Sequence, residues 1–151
     1  FEDMFGRSYD MIEEYKTEDA DVVFVTAGTL ASEAMRAVDE LRDEGIKIGL
    51  GRIRIFRPFP INQVLDLARK VDVIGVIDRS FTFGQEGAFA HEIRGVLQGT
   101  DAANTLVKDF ISGIGGKDVT YKHLMDLGKN LKKIKEKGEL DERVQWTQLK
   151  E

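Results

Sequence analysis

The stretch DRSFTFGQEG, residues 78 to 87, has the residue types of a ligand-binding turn. It follows an apolar run, and open α/β sheets bind ligands just beyond the carboxyl ends of their strands. Gly84 and Gly87 allow a tight turn, and the free N–H groups of a following helix could hold an anion. An ordinary strand-to-helix loop, with Glu86 in the first helical turn, explains the same residues. The motif is short, which favours the ordinary loop.

The stretch GRIRIFRPFP, residues 51 to 60, predicts a half-charged strand that stops at two prolines. Side chains alternate across a sheet, so Ile53 and Ile55 are expected on one face. The other face is then expected to carry Arg52, Arg54 and Phe56. Together with Arg57, this face suits a polar interface, because arginine and aromatic residues are enriched there. An exposed strand whose arginine stems cover apolar surface explains the pattern equally well.

Other catalytic and ligand-binding patterns are incomplete. GIGGKD, residues 113 to 118, lacks the spacing of a phosphate loop. A dinucleotide-binding fold would carry G-x-G-x-x-G in the first strand-to-helix turn, where this sequence has a single glycine, Gly28. His91 and His123 fall on different predicted helices, each without a second ligand at metal-binding spacing. No nucleophile, base and acid can be assembled into a catalytic set, so we predict no catalytic residue and no metal site.

The elements that must position these residues follow from hydrophobic periodicity. Apolar runs predict strands, and apolar residues at helical spacing predict helices between them. The predicted strands are 22–26, 46–56, 71–78 and 105–111, the helices begin near residues 4, 30, 61, 88 and 121, and a short edge strand is predicted within 144–149. Alternating strands and helices predict an α/β fold, a three-layer sandwich with a mainly parallel sheet.

Composition narrows the class of protein. Apolar residues make up 42% and charged residues 32%, which is typical of a folded domain with one core. The net charge of −5 argues against binding to nucleic acid or to an anionic membrane. The chain has no cysteine, which excludes disulfides and thiolate ligation of iron–sulfur clusters by this chain. We expect a cytoplasmic protein, and a first residue other than methionine suggests a piece of a longer polypeptide.

Several blocks of the sequence, taken in order, resemble one family. They are GRSYDMIEEY (6–15), VTAGTLASEAMRAVDELRDEGIKIG (25–49), RIRIFRPFP (52–60), VIGVIDRSFTFGQEGAFAHEIRGVL (73–97) and FISGIGGKDVT (110–120). The chain is similar to the alpha subunit of 2-oxoacid:ferredoxin oxidoreductases, thiamine diphosphate enzymes that include pyruvate synthase. The last block resembles the pyruvate or branched-chain 2-oxoacid branch more than the 2-oxoglutarate branch.

The resemblance implies a fold and a division of the chain. It covers the C-terminal part of the alpha subunit, which is similar to the C-terminal domain of transketolase and has a mixed sheet. Residues 1–20 are then a helix and linker from a preceding domain. Residues 21–137 form the transketolase C-terminal-like domain, and residues 138–151 are a tail with the edge strand.

The resemblance also implies what the whole complex does. It would decarboxylate a 2-oxoacid on thiamine diphosphate, reduce ferredoxin through iron–sulfur clusters and release an acyl-CoA from coenzyme A. The expected partners are a thiamine-diphosphate-binding beta subunit, an iron–sulfur delta subunit and a gamma subunit. Thiamine diphosphate, Mg²⁺ and the clusters are expected on those other parts, with no cofactor bound by this chain alone. This chain would serve assembly and active-site shaping and be inactive by itself.

The resemblance places the 78–87 loop near a subunit interface and the mouth of an active site. The residues that it and the arginine strand offer for an interface or an anion are Arg52, Arg54, Phe56, Arg57, Asp78, Arg79, Gly84, Gln85 and Gly87. It transfers no catalytic residue to this chain. The alternative is a free-standing regulatory or small-anion-binding α/β module that uses the turn at Gly84 to Gly87.

Overall fold

A computed structural model describes residues 10–148 and shows a six-stranded sheet in the order β1-β3-β2-β4-β5-β6. The strands are β1 Ile12–Tyr15, β2 Val22–Ala27, β3 Ile48–Ile53, β4 Val73–Asp78, β5 Leu106–Ile111 and β6 Val144–Trp146. The helices are α1 Leu30–Asp43, α2 Ile61–Ala68, α3 Ala88–Leu97 and α4 Tyr121–Lys137, and a 3₁₀ turn spans Ile114–Gly116. Neighbouring strands are parallel except for β1, which runs antiparallel to β3. The sheet is therefore mixed and mainly parallel, as predicted.

Two helices cover each face of the sheet. One core cluster packs α1 and α4 against side chains such as Phe24, Leu50 and Phe110. The other packs α2 and α3 against side chains such as Val25, Val76 and Val107. Strand β2 lies inside the sheet and its VVFVT segment is buried throughout, because helices cover both of its faces. This arrangement confirms the predicted three-layer sandwich.

Helix α4 approaches the sheet closely because two glycines leave room for it. A Cβ on Gly75 of β4 would lie 2.4 Å from Cδ1 of Leu131 on the helix. A Cβ on Gly128 of α4 would lie 2.4 Å from Cδ1 of Leu41 on α1. Both distances are far below a normal contact, so these glycines set the helix-to-sheet and helix-to-helix spacing.

The helix predicted over residues 4–15 is wrong where the structure describes it. Residues 1–9 lie outside the described range, and Ile12–Tyr15 form β1 at the sheet edge. Ile12 packs with the α2/α3 side, whereas Tyr15 packs with the α1/α4 side. Their spacing fits a helix, but pairing with β3 imposes a strand, because tertiary contacts override local periodicity. The domain boundary at residue 20 stays a prediction, although β1 belongs to the common sheet.

The strand predicted over 46–56 is shorter than expected. It ends at Ile53, opposite Ile12, where its partner β1 begins. Beyond that point the alternation is lost, so Phe56 packs with the α2/α3 core cluster instead of sharing a face with the arginines. Ile55 is 42% exposed. The predicted face of Arg52, Arg54 and Phe56 is therefore wrong for Phe56.

The edge strand predicted within 144–149 is confirmed as β6, which runs parallel to β5. None of the helices within residues 10–148 is long and apolar enough to cross a membrane.

Candidate functional site

The sequence-predicted loop after β4 leads directly into α3 at the carboxyl edge of the sheet. Asp78, the last residue of β4, is fully buried. Its Oδ1 accepts the N–H of Phe89 at 3.2 Å, and its Oδ2 accepts the N–H of Ala90 at 3.2 Å. These N–H groups belong to the first turn of α3 and have no partner within the helix, so Asp78 anchors the start of that helix.

A second buried carboxyl group lies beside the first. Asp109 of β5 is also fully buried, and its Oδ2 accepts the N–H of Gly87 at 2.7 Å. Asp109 pairs in register with Val76, two residues before Asp78, so both side chains point to the α3 face. Neighbouring strands thus bring two carboxyl groups together under one helix terminus.

Burial and the charge of the neighbouring carboxyl group perturb the protonation of both aspartates. Burial, reinforced by the charge of Asp109, raises the pKa of Asp78 from its ordinary 3.8 to about 7, although the N–H groups of Phe89 and Ala90 oppose the rise. Burial also raises the pKa of Asp109, opposed by the N–H of Gly87 and by the positive charge of Arg94. Two carboxylates this close cannot both ionise without cost, so the pair favours holding a proton.

Gly84 and Gly87 serve different purposes. Gly84 has φ +74° and forms a turn in which the N–H of Gln85 donates to the Thr82 carbonyl oxygen at 2.9 Å. Gly87 has an ordinary φ of −63°, but a Cβ there would lie 2.1 Å from Oδ2 of Asp78. Gly84 therefore supplies a backbone conformation, whereas Gly87 supplies space for the buried carboxyl group.

This geometry bears on the predicted anion site. The N–H groups of Gly87, Phe89 and Ala90 already donate to Asp109 and Asp78. An external anion at this helix terminus would have to replace an internal carboxyl group. The anion-binding role of Gly84, Gln85 and Gly87 stays a prediction, and the contacts weigh against it.

Glu86 connects the loop to α3 and to the segment before β6. Its side chain is only 10% exposed and forms an ion pair with Arg94. Arg94 also donates from Nη2 to the carbonyl oxygens of Val107 at 2.5 Å and Arg143 at 3.1 Å. Nδ1 of His91 lies 3.5 Å from Glu86. A neighbouring pocket of about 390 Å³ is lined by Gly84, Gln85, Glu86, His91, Arg143 and Val144.

An exposed aromatic group, which the sequence reasoning missed, lies at the same edge. Phe81 lies with its ring centroid 5.5 Å from that of Phe83 and 4.7 Å from that of Trp146. Phe83 is 91% exposed and Trp146 39%. We call Phe81, Phe83 and Trp146 the aromatic patch. The FTF spacing gave a signal for two of its members, but their proximity to Trp146 depends on β6 joining β5.

The exposed apolar side chains concentrate at this edge. Ile55, Ile61, Phe83 and Trp146 are the exposed large hydrophobic residues of the described chain. Ile55 and Ile61 follow β3, Phe83 follows β4, and Trp146 ends β6. Since the strands other than β1 are parallel, their carboxyl ends face one side of the domain. Such a concentration is typical of an interaction surface.

The arginines predicted as an open face are partly neutralised. Nη1 of Arg52 lies 3.5 Å, and Nη2 of Arg54 2.9 Å, from Oε2 of Glu13 on β1. Arg57 lies over the ring of Phe56 and pairs with Glu92 at 2.5 Å. The sequence reasoning missed Glu13 because it expected a helix there.

Arg79 is exposed, and its side chain lies next to Gly113, where a Cβ would approach its Nε to 3.0 Å. Two of the candidate arginines, Arg52 and Arg54, contact β1 through Glu13. Phe56 and Arg57 instead contact α3 through Phe89 and Glu92, and the loop from Asp78 to Gly87 leads into the same helix.

The remaining polar side chains include types that can act as metal ligands or nucleophiles. Within residues 10–148, no three His, Cys, Asp or Glu side chains are grouped as metal ligands would be. His123 is partly buried, which lowers its pKa, and its Nε2 lies 3.2 Å from Oγ1 of Thr147. Lys108 is fully buried, but its Nζ contacts the carbonyl oxygen of Glu142 at 2.8 Å and Oδ1 of Asp141 at 3.3 Å. The contacts of this site position the start of α3, and its exposed aromatic side chains are typical of a surface that binds another protein.

Comparison with known proteins gives a consistent family. The sequence model of the family "Pyruvate:ferredoxin oxidoreductase core domain II" matches residues 20–124. Ketoisovalerate oxidoreductase subunit VorA of Pyrococcus horikoshii is 43% identical over 151 residues, covering 99% of this chain and 38% of the relative. Pyruvate synthase subunit PorA of the same organism is 39% identical over 150 residues, with the same two coverages. The chain thus spans less than half the length of these relatives.

Two solved structures share the fold. A 2-oxoglutarate:ferredoxin oxidoreductase from Magnetococcus marinus, with 2-oxoglutarate, coenzyme A and succinyl-CoA bound, matches with a TM-score of 0.65 and 22% identity, covering 81% of this chain and 20% of that one. A split-gene transketolase, an inactive beta4 tetramer, matches with a TM-score of 0.62 and 15% identity, covering 82% and 42%. At these identities the likeness concerns the fold, and it confirms the predicted transketolase C-terminal-like sandwich.

Proposed function

The chain belongs to the family of pyruvate:ferredoxin oxidoreductase core domain II, and from this premise we propose that it is the C-terminal domain of the alpha subunit of a 2-oxoacid:ferredoxin oxidoreductase. The resemblance seen in the sequence blocks is thereby confirmed at the level of the family. The whole enzyme would oxidatively decarboxylate a 2-oxoacid, form an acyl-CoA with coenzyme A, and reduce ferredoxin. The names of the relatives support pyruvate or a branched-chain 2-oxoacid such as ketoisovalerate as the substrate.

The residues of this domain do not fit the enzyme's cofactors. Asp78 and Asp109 are turned to backbone N–H groups inside the protein, so they are poor ligands for a Mg²⁺ that would carry a diphosphate. The chain has no cysteine to ligate an iron–sulfur cluster. We therefore assign thiamine diphosphate, Mg²⁺ and the clusters to other parts of the assembly and route no chemical step through this chain.

The role proposed for this domain is to dock against neighbouring parts of the enzyme and to position loops near its active site. The observation that carries this role is the aromatic patch. A phenylalanine that is 91% exposed, next to an exposed tryptophan, costs solubility unless a partner covers it. Aromatic residues are also enriched at the centres of protein interfaces.

Further residues fit the same docking role. Arg57 and Arg79 are exposed at this edge, and Ile55 and Ile61 add apolar surface. The partners proposed are the remainder of the alpha subunit and the beta, gamma and delta subunits, in a cytoplasmic complex. By itself this domain would have no activity, because it brings neither a cofactor site nor a catalytic set.

Affinity capture of the native polypeptide that carries this sequence tests the proposal. We expect mass spectrometry to find a thiamine-diphosphate-binding subunit and an iron–sulfur subunit with it. The captured complex should reduce ferredoxin when given a 2-oxoacid and coenzyme A. Capture of this polypeptide without such subunits, or turnover of a 2-oxoacid by the isolated domain, would contradict the proposal.

Substitution of Phe83 tests the docking role separately. Phe83→Ser removes an exposed side chain, so we expect the free energy of unfolding to change by less than about 0.5 kcal/mol. We expect recovery of the partner subunits to fall at least tenfold, as for an interface anchor worth about 1.4 kcal/mol or more. Glu18→Ser, at the opposite edge of the sheet, is the matched control and should leave recovery unchanged. Equal recovery with Phe83→Ser would remove the patch from the interface.

A further inference from the structure

The buried carboxyl pair lies beneath the loop that carries Phe81 and Phe83. Asp78 and Asp109 are both 0% exposed, and together they accept N–H groups from Gly87, Phe89 and Ala90. These three donors span the end of the loop and the first turn of α3. The pair therefore joins β4 and β5 to Gly87, the last residue of the loop at 79–87, and to the first turn of α3.

The hydrogen-bond donors available to the pair are one too few if both groups are ionised. Asp78 accepts through both oxygens, and Asp109 accepts through Oδ2. Oδ1 of Asp109 is buried and finds no donor among the described residues. A carboxylate has no proton to give, whereas a protonated carboxyl group is a donor. The two carboxyl groups flank one residue, since the N–H of Gly87 donates to Asp109 and a Cβ on Gly87 would lie 2.1 Å from Oδ2 of Asp78. A proton on Asp78 could then be donated to the orphaned oxygen of Asp109.

We propose that Asp78 and Asp109 share one proton and that this proton fastens the 79–87 loop to the sheet, as a proton latch. With the proton bound, Asp78 donates to Asp109 and both groups keep their N–H bonds. Without it, two buried negative charges face each other, and the cheapest relief is hydration of one carboxylate. Hydration requires the segment whose N–H groups cover the pair, from Gly87 to Ala90, to move away, because both carboxyl groups are fully buried.

The surrounding charges decide which group carries the proton. Arg94 of α3 and Lys108 of β5 both lower the pKa of Asp109 through their positive charge. Glu86 in the loop is neutralised by Arg94, and His91 and Arg143 lie beyond it. Asp109 is thus the better place for the negative charge and Asp78 for the proton. The pKa of Asp78, about 7, supports this division and puts the transition in the neutral range.

The latch has a consequence for docking, and this part alone rests on the proposed function. A partner that binds the fastened loop binds the protonated form in preference. Its affinity should then fall with rising pH, by up to about tenfold for each pH unit above the transition.

Trp146 provides the test, because it is the only tryptophan in the chain and its ring packs against Phe81 of the loop. Its fluorescence should be followed in the full chain from about pH 5.5 to about pH 9. We expect a one-proton transition near pH 7. In Asp109→Asn the amide can donate to ionised Asp78 without any proton, and its oxygen can still accept the N–H of Gly87. The transition should therefore disappear in Asp109→Asn.

The signals of the chain's two histidines must be separated from that of the pair. His91 lies beside Glu86, and His123 contacts Thr147 next to Trp146. His91→Gln and His123→Gln should each keep the transition. A transition that disappears with either histidine, or that persists unchanged in Asp109→Asn, would overturn the latch.

A second readout applies even if Asp109→Asn fails to fold. Carbon-13 resonances of labelled aspartate carboxyl groups in the unmodified chain should include one that titrates near neutral pH. If every aspartate titrates below about pH 5, the proposal is wrong. These measurements need no partner, so they succeed or fail independently of the capture that tests the proposed function.

Discussion

Replacement of Gly87 by alanine is the perturbation whose effect the structure predicts most directly. The new Cβ would lie 2.1 Å from Oδ2 and 2.3 Å from Cγ of Asp78. Nonbonded heavy atoms prefer separations of about 3.5–4.0 Å, so either Asp78 or the start of α3 must move by more than about 1 Å. Asp78 is fully buried and held by two N–H groups, so its movement would break these hydrogen bonds inside the protein.

The magnitude follows from the hydrogen bonds that such a movement breaks. Asp78 would lose the N–H groups of Phe89 and Ala90, and each buried group left unsatisfied costs about 1–3 kcal/mol. The smaller conformational freedom of alanine in the unfolded chain returns about 0.4–1 kcal/mol. We expect Gly87→Ala to lower the free energy of unfolding by about 1–5 kcal/mol. For a domain of this size, that loss corresponds to a fall in Tm of about 2–20 °C.

Urea unfolding followed by circular dichroism measures this change. Gly95→Ala is the matched control, since Gly95 lies within α3, the helix that Gly87 precedes, and its added Cβ would meet nothing within 4 Å. That variant should gain about 0.5–1 kcal/mol from the better helix propensity of alanine. The two substitutions are chemically identical, so opposite signs isolate the contact with Asp78. Equal stability of Gly87→Ala and the unmodified chain would refute the close approach on which the account of this site depends.

Two further predictions concern buried charge. Between about pH 4 and pH 7 the free energy of unfolding should fall by up to about 4 kcal/mol, because folded Asp78 keeps a proton that the unfolded chain releases at its ordinary pKa of 3.8. Urea titrations at a series of pH values check this, and a rise of stability over the same range would contradict it. Lys108→Met should change the free energy of unfolding by only about 1 kcal/mol. The substitution removes the cost of burying a cation, and Asp141 and Glu142, which lose their partner, are more than half exposed and can be hydrated instead. Limited proteolysis should nevertheless cut the segment at 141–143 faster, because Lys108 no longer holds it. A loss of stability above about 3 kcal/mol would contradict this prediction and show that the ion pairs of Lys108 are strongly favourable.

The segment at residues 51–60 shows what can and cannot be predicted from a local sequence pattern. Its alternation correctly placed Ile53 in the core, but the strand already ends at Ile53, before Pro58 and Pro60. Its length was wrong because a strand extends only as far as it has a partner, and β1 begins opposite Ile53. The same unseen partner supplies Glu13, which sits against both Arg52 and Arg54. No periodicity within residues 51–60 carries that information.

The buried pair shows a second limit. Asp78 was singled out because it ends an apolar run beside a glycine-rich loop. Asp109 gave no such signal, since an aspartate within LVKDFI could equally have faced solvent at a sheet edge. Its role depends on the register between β4 and β5, which brings it diagonally opposite Asp78. Register is a relation between distant segments, so a reading of either segment alone leaves it open.

The sequence by itself determined the layered α/β architecture, the family and the loop after β4, because hydrophobic periodicity and ordered blocks of residues are properties of continuous segments. Only the tertiary structure decided that β1 is a strand, that Gly87 is needed for a carboxyl group rather than a turn, and that Phe81, Phe83 and Trp146 meet. The physical reason is common to all three. Each depends on contacts between segments far apart in the chain, whose energy is gained only when the sheet brings them together.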